Sequence, residues 1–145
     1  MILYRPVGIG ELRLIAQSAF SAFPPRLPDQ AIFYPVLTHE YARRIARDWN
    51  TVDAQSGYAG FVTRFEIDDV TAARYPVQRA GGRTHEELWV PAAELAEFNA
   101  HIVGRIAVIE AFTGERFAGA LNPATLLPLE LELELRAAAG AQSRT

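Results

Sequence analysis

One stretch of the sequence combines side chains that electrostatic or acid–base catalysis needs, namely residues 84–91, Thr-His-Glu-Glu-Leu-Trp-Val-Pro. If this stretch is a strand, its side chains alternate, so His85, Glu87 and Trp89 share one face while Glu86 lies on the other. A carboxylate between an imidazole and an indole suits the floor of a ligand cleft. The alternative interpretation is a solvated strand, because most glutamates face water.

Arginine is the residue type that must bind any anionic ligand of this chain. All 14 basic residues are Arg, which excludes a Schiff-base lysine and a phosphate-loop lysine. A first strand over residues 2–5 places Arg5 on one face and Tyr4 on the other, so Arg5 is a candidate clamp for a ligand. The alternatives are that Arg5 is a surface residue, or that the clamp is Arg26 or Arg64.

Composition excludes several other classes of function. The chain has no cysteine, hence no thiolate nucleophile and no Cys-based metal site, and the spacing of His39, His85 and His101 matches no compact ligand pattern. A hydrolase that pairs Glu86 with Glu87 is disfavoured because adjacent strand residues point to opposite faces. The net charge of −3 disfavours binding of long nucleic acids.

The sequence also indicates where the protein works. It contains no apolar run of about 18 residues and no export signal, so we expect no membrane span and a cytoplasmic location.

Helices and strands that position these residues are predicted from periodicity and breakers. We predict helices over residues 11–20, 39–49 and 92–101, and strands over 32–37, 61–67, 77–79 and 102–112. The last strand is apolar on both faces, which predicts a central position in the sheet. Three prolines in residues 23–30 predict a stiff loop, either a wall of a binding site or a plain connector.

The C-terminal part gives a weaker signal. Residues 129–135 alternate Leu and Glu, a pattern compatible with an exposed edge strand or a helix. We expect disorder from Ala137 to Thr145.

The order of these elements resembles the fold of the mono-ADP-ribosyltransferases, a family of NAD-using toxins, modifying enzymes and relatives. The resemblance lies in Tyr4-Arg5 on the first strand, Thr63 on a middle strand, and the run 87–91, Glu-Leu-Trp-Val-Pro, on a late strand. Residues 3–6 (Leu-Tyr-Arg-Pro) and 23–28 (Phe-Pro-Pro-Arg-Leu-Pro) are also similar to small bacterial proteins often labelled "ADP-ribosylation/crystallin J1".

The resemblance implies a fold. We expect an α+β protein with a compact ADP-ribosyltransferase-like domain over residues 1–118, in which mixed or antiparallel sheets carry peripheral helices. Residues 119–145 would form a partly disordered tail.

The resemblance also implies an activity, in which ADP-ribose is transferred from the co-substrate NAD to an unknown macromolecular or small-molecule acceptor and nicotinamide is released. Glu87 and His85 would then be catalytic. The residues that would bind NAD are Arg5, Tyr4, Thr63, Tyr58 and Trp89. The competing interpretation is a catalytically inactive module of the same fold that serves binding or immunity.

Overall fold

A computed structural model describes residues 1–81 and 85–143 of the chain, which form an α+β fold with antiparallel sheets. In chain order the elements are β1 (Ile2–Val7), α1 (Ile9–Gln17), β2 (Ile32–Phe33), α2 (His39–Asp48), β3 (Ala59–Ile67), α3 (Asp69–Ala72), β4 (Val77–Arg79), β5 (Glu86–Leu88), β6 (Val90–Pro91), α4 (Leu95–Ala100), β7 (Ile102–Thr113) and α5 (Leu129–Ser143). Short 3-10 helices lie at Asn50–Val52, Ala54–Ser56 and Ala92–Glu94. Among the described residues, no helix has the length and apolar character needed to cross a membrane.

The main sheet has three strands in the order β1–β3–β7, so β3 is central. The prediction that 102–112 is the central strand is therefore wrong. The pattern misled because both faces of β7 do carry apolar contacts: Ile106 and Val108 pack against the main core, whereas Ile109 and Phe112 pack beside α2. Its outer edge pairs with no other strand in the described part of the chain.

Beyond β1 the sheet continues through single-residue bridges. Val36 pairs with Tyr4 on one side and with Glu87 on the other, so these three residues form one row across the strands. Directly opposed residues of antiparallel strands share a face, and this row faces α2. The side chains of Leu3 and Arg5, two residues apart on β1, lie on the opposite face, towards the main core. Alternation along β1 is therefore as the sequence predicts.

Helix α2 lies close against the sheet because the residues at the contact are small. Ala42 and Ala46 are fully buried, and a Cβ built on Gly60 of β3 would lie 2.3 Å from the Ala46 carbonyl oxygen. Thr38 directly before the helical pattern predicts an N-cap, and the structure contains it: the Thr38 hydroxyl accepts a hydrogen bond from the Tyr41 amide at 3.1 Å. The sequence also predicts Trp49 on the inner face, which is wrong.

Trp49 is 58% exposed because the regular helix ends at Asp48. Helix α1 is also shorter than predicted. It ends at Gln17, and the backbone then turns at Ala19 and Phe20, both of which have positive φ.

The main core is built largely from phenylalanine side chains of separate elements. The rings in mutual edge or tilted contact are Phe23, Phe33, Phe65 and Phe98. Phe23 begins the proline-rich loop, and its amide nitrogen and carbonyl oxygen both hydrogen-bond the Asn99 side chain. The loop is thus anchored at its first residue.

The C-terminal segment is helical where disorder was expected. Helix α5 runs to Ser143, so the prediction of disorder from Ala137 is wrong up to that residue, while Arg144 and Thr145 lie outside the described residues. Leucine and glutamate are good helix formers, and an alternating run also puts leucines four residues apart, at Leu131 and Leu135. Leu131 is 1% exposed and joins the main core.

Candidate active site

A cleft of about 830 Å³ opens beside the single-residue bridges between β1, Val36 and β5. Its walls are the end of β1, the proline-rich loop, the face of α2 that carries Tyr41, the following Trp49, and the segment from Glu87 to Trp89. The volume falls within the range of about 300–1,000 Å³ that is typical of small-molecule sites.

Glu87 is a buried carboxylate at this cleft, with only 8% of the residue exposed. Oε2 accepts a hydrogen bond from the Tyr41 hydroxyl at 3.1 Å, and Oε1 accepts one from the Trp89 indole at 2.8 Å. These two donors compensate for burial and fix the orientation of the carboxylate. Glu86, its neighbour, instead lies 3.8 Å from Arg79, as expected from strand alternation.

Tyr41 links the carboxylate to His85. Burial and then the neighbouring Glu87 raise the pKa of Tyr41 to about 12, so the hydroxyl stays protonated near neutral pH and donates to Glu87. The imidazole of His85 stacks on the Tyr41 ring at a centroid distance of 4.5 Å, and Arg44 Nη1 lies 3.4 Å from His85 Nε2. The structure thus brings His85, Glu87 and Trp89 together beside Tyr41, which was not among the predicted site residues.

Arg5 also lines the cleft, but each nitrogen of its guanidinium already has a partner within the protein. Nε and Nη2 donate to the two carboxylate oxygens of Glu11 at 2.5 and 2.8 Å, and Nη1 donates to the Tyr34 carbonyl at 3.4 Å. One face of the group covers the Phe33 ring at 4.6 Å. The predicted clamp is therefore an ion pair in the cleft wall. The sequence pattern did not identify Glu11 as its partner, although Glu11 lies in the first turn of a helix, six residues after Arg5.

Arg26 of the proline-rich loop is the second arginine at the cleft. Its Nε donates to the Ile32 carbonyl at 3.0 Å, whereas Nη1 and Nη2 have no hydrogen-bond partner among residues 1–81 and 85–143. Burial lowers the pKa of Arg26 below its usual value, and the charge of Arg5 lowers it further, while Glu11 acts in the opposite direction. Arg64, the other alternative, is an exposed residue of β3 outside the described cleft lining.

Three residues predicted to bind the cofactor lie outside the cleft walls that the described residues form. Tyr4 faces α2 and stacks on His39 at 5.5 Å, because β1 alternates. Thr63 is fully buried on the central strand, where its hydroxyl donates to the Arg5 carbonyl at 2.7 Å. Tyr58 has Arg116 over its ring at 5.8 Å.

The rim of the cleft carries exposed apolar and aromatic side chains. Trp89 is 44% exposed, and its ring meets Tyr34 edge-on at 6.2 Å. Other exposed apolar residues that line the cleft are Leu14, Leu27 and Trp49. Exposed apolar surface gathered at a concave site indicates a ligand-binding or partner-binding role. Sequence analysis identified Trp89 but missed Tyr34 and Trp49.

The three histidines lie apart from one another in separate contacts. His39 pairs with Glu110, His101 pairs with Asp68 at 2.8 Å, and His85 stacks on Tyr41. Within the part of the chain that the structure describes, no three His, Asp or Glu side chains are grouped so that they could hold a metal ion.

Comparison of the chain with protein-family models, curated proteins and solved structures finds no match in any of the three. The chemistry of the cleft must therefore be argued from its own residues.

Proposed function

We propose that this protein is an NAD-dependent mono-ADP-ribosyltransferase with an ADP-ribosyltransferase-like fold, and that Glu87 is its catalytic carboxylate. The observation that carries the proposal is a buried, doubly hydrogen-bonded carboxylate in a cleft of small-molecule size. The acceptor is a nucleophile on a macromolecule or a small molecule.

The reaction makes a specific electrostatic demand on the site. The bond between the ribose carbon C1′ and the nicotinamide nitrogen breaks, and nicotinamide leaves as a neutral ring with the bonding electron pair. Positive charge then develops on the ribose until the acceptor's lone pair forms the new bond and the acceptor loses its proton. A fixed negative charge beside C1′ lowers this barrier because it needs no reorganisation during the reaction.

The shape of the cleft also supports a ligand with two ring systems. Tyr41 and Ile45 of α2 and Trp49, the residue that caps its end, all line the cleft at intervals of four residues. Eight residues at a rise of about 1.5 Å each span roughly 12 Å, with Glu87 beside the Tyr41 end. Aromatic surface is present at both ends, Trp89 at one and Trp49 at the other, and a dinucleotide carries one flat ring at each end.

His85 fits the role of base on the acceptor side. It stacks on the Tyr41 ring, whose hydroxyl binds Glu87, and is partly exposed beside Arg44. An imidazole nitrogen can take the proton that the acceptor loses.

A second candidate function is a binding module of this fold that does not turn NAD over. It is favoured by the internal contacts of the charged groups, since both oxygens of Glu87 and all three nitrogens of Arg5 already have protein partners. Side chains held in such contacts can form the wall of a ligand site without taking part in a reaction.

Release of free nicotinamide distinguishes the two functions. The purified protein is incubated with NAD, alone and with bacterial cell extract as a source of acceptors, and nicotinamide is quantified by chromatography. Heat-denatured protein in the same extract is the control. Nicotinamide release above that control supports the transferase. NAD binding by calorimetry without release in either condition rejects the transferase and favours the binding module.

A further inference from the structure

We infer that Arg26, on the proline-rich loop, is the residue that binds the anionic group of the cleft's ligand, while Arg5 is a structural element of the wall. This inference rests on the proposed function in taking a dinucleotide with a central diphosphate as the ligand.

Each nitrogen of Arg5 already donates a hydrogen bond within the protein. An arginine that binds a diphosphate must direct N–H groups at its oxygens, and the best geometry uses two parallel bonds. Glu11 takes one such paired interaction with Nε and Nη2, and the Tyr34 carbonyl takes one N–H of Nη1. The N–H groups that remain lie beside the Glu11 carboxylate, which offsets the charge of Arg5 and would repel a phosphate.

Arg26 has two donor nitrogens without a protein partner among the described residues. Its Nε bond to the Ile32 carbonyl fixes the plane of the guanidinium, and Nη1 and Nη2 have no protein partner among the described residues. Two N–H groups on one side of a fixed, planar cation are the arrangement that pairs with phosphate oxygens.

The charges around Arg26 also favour a bound anion. Its guanidinium is partly buried and lies near that of Arg5, two conditions that disfavour a cation without a counterion. Glu11 offsets Arg5 directly through the paired bonds, but no carboxylate in the described residues forms a salt bridge with Arg26. A bound anion would supply the missing counterion.

The proline-rich loop that carries Arg26 is stiff. Pro24, Pro25 and Pro28 restrict the backbone on both sides of Arg26, and Phe23 anchors the start of the loop to Asn99. A donor that is already held in place loses little conformational entropy when the ligand binds.

Calorimetry with ADP-ribose tests the inference, because this probe carries the diphosphate but lacks the nicotinamide that turnover would release. We expect Arg26→Gln to weaken ADP-ribose binding about ten- to a hundred-fold, the loss typical of charge-assisted hydrogen bonds. Arg26→Lys keeps the charge but not the fork, and should weaken binding less than Arg26→Gln. Arg47→Gln, which removes an exposed arginine of α2 outside the cleft lining, is the matched control and should bind as the wild type.

Circular dichroism establishes that each variant is folded before binding is measured. Wild-type affinity in folded Arg26→Gln overturns the inference, as does equal weakening by Arg26→Gln and Arg47→Gln. Absence of ADP-ribose binding to the wild type also overturns it. Should Arg26→Gln not fold, the test passes to Arg26→Lys, in which the inference requires weaker binding than wild type. If ADP-ribose binding depends on Arg26 but NAD is not cleaved, the proposed reaction is rejected and the anion-binding role of Arg26 is supported.

Discussion

Replacing Glu87 by glutamine isolates the charge of the carboxylate from its hydrogen bonds. The Trp89 indole can only donate, so the glutamine oxygen must take the place of Oε1 and keep that bond at about 2.8 Å. The glutamine nitrogen then faces the Tyr41 hydroxyl, which can rotate and accept. Both contacts survive in kind, and the negative charge is what the substitution removes.

The expected magnitude follows from Coulomb's law. A unit charge about 4 Å from a developing cation contributes about 4 kcal/mol at the effective dielectric constant of a partly buried site. Loss of one preorganised electrostatic group typically costs about 10²–10³ in turnover. We therefore expect Glu87→Gln to lower kcat for nicotinamide release by about 10²–10³, with NAD affinity little changed.

Glu86→Gln is the matched control, since it makes the same chemical change on the next residue. The Glu86 carboxylate lies on the other face, 3.8 Å from an exposed arginine, and surface changes of this kind are worth about 0.5 kcal/mol or less. Both variants are assayed for nicotinamide release and for NAD binding by calorimetry. Equal losses in the two variants, or a larger loss in Glu86→Gln, would refute the assignment of the carboxylate.

Three further predictions concern stability. The pKa of Tyr41, about 12, exceeds the ordinary value of about 10, so the folded state holds this proton more tightly. Its contribution to stability is complete below about pH 10 and is lost as the pH rises towards 12. The chain has no lysine or cysteine to titrate in that window. From pH 9 to 12 the melting temperature of Tyr41→Phe should therefore fall less steeply than that of the wild type. Equal slopes of melting temperature against pH in the two proteins would contradict this reasoning. Arg5→Ala leaves Glu11 without its paired donors and should lower the free energy of unfolding by about 1.5–3 kcal/mol in urea titrations, whereas wild-type stability would show that the ion pair is dispensable. Leu131→Ala should lower it by about 2–5 kcal/mol, while deletion of residues 140–145 should leave the melting temperature unchanged; the reverse order would mean that α5 docks through its end.

Local patterns in the sequence predict much of the fold. Alternation over residues 85–89 predicts which side chains surround Glu87, and Thr38 marks the start of α2, because both signals act within a few residues. The edge position of β7 was not predictable in this way. An edge strand covered by core on one face and by packing beside α2 on the other has the same apolar pattern as a central strand.

The site is less predictable than the fold because its contacts join distant parts of the chain. Tyr41 meets Glu87 across 46 residues, and the row that aligns them depends on single-residue bridges at Val36. One residue in a bridge leaves no periodic signal. The pairing of Arg5 with Glu11 is closer in sequence, but it depends on how α1 turns back over β1.

The small residues beneath α2 set how closely this helix approaches the sheet, and therefore the position of one wall of the cleft. The helix rests on the backbone of Gly60, where even one added methyl group would meet the Ala46 carbonyl oxygen at 2.3 Å. Tyr41 lies on this same helix, Trp49 directly follows it, and both line the cleft. Lifting the helix by the width of a methyl group therefore changes the gap into which a ligand must fit. The width of the cleft thus depends on Gly60, a buried residue that does not line the cleft.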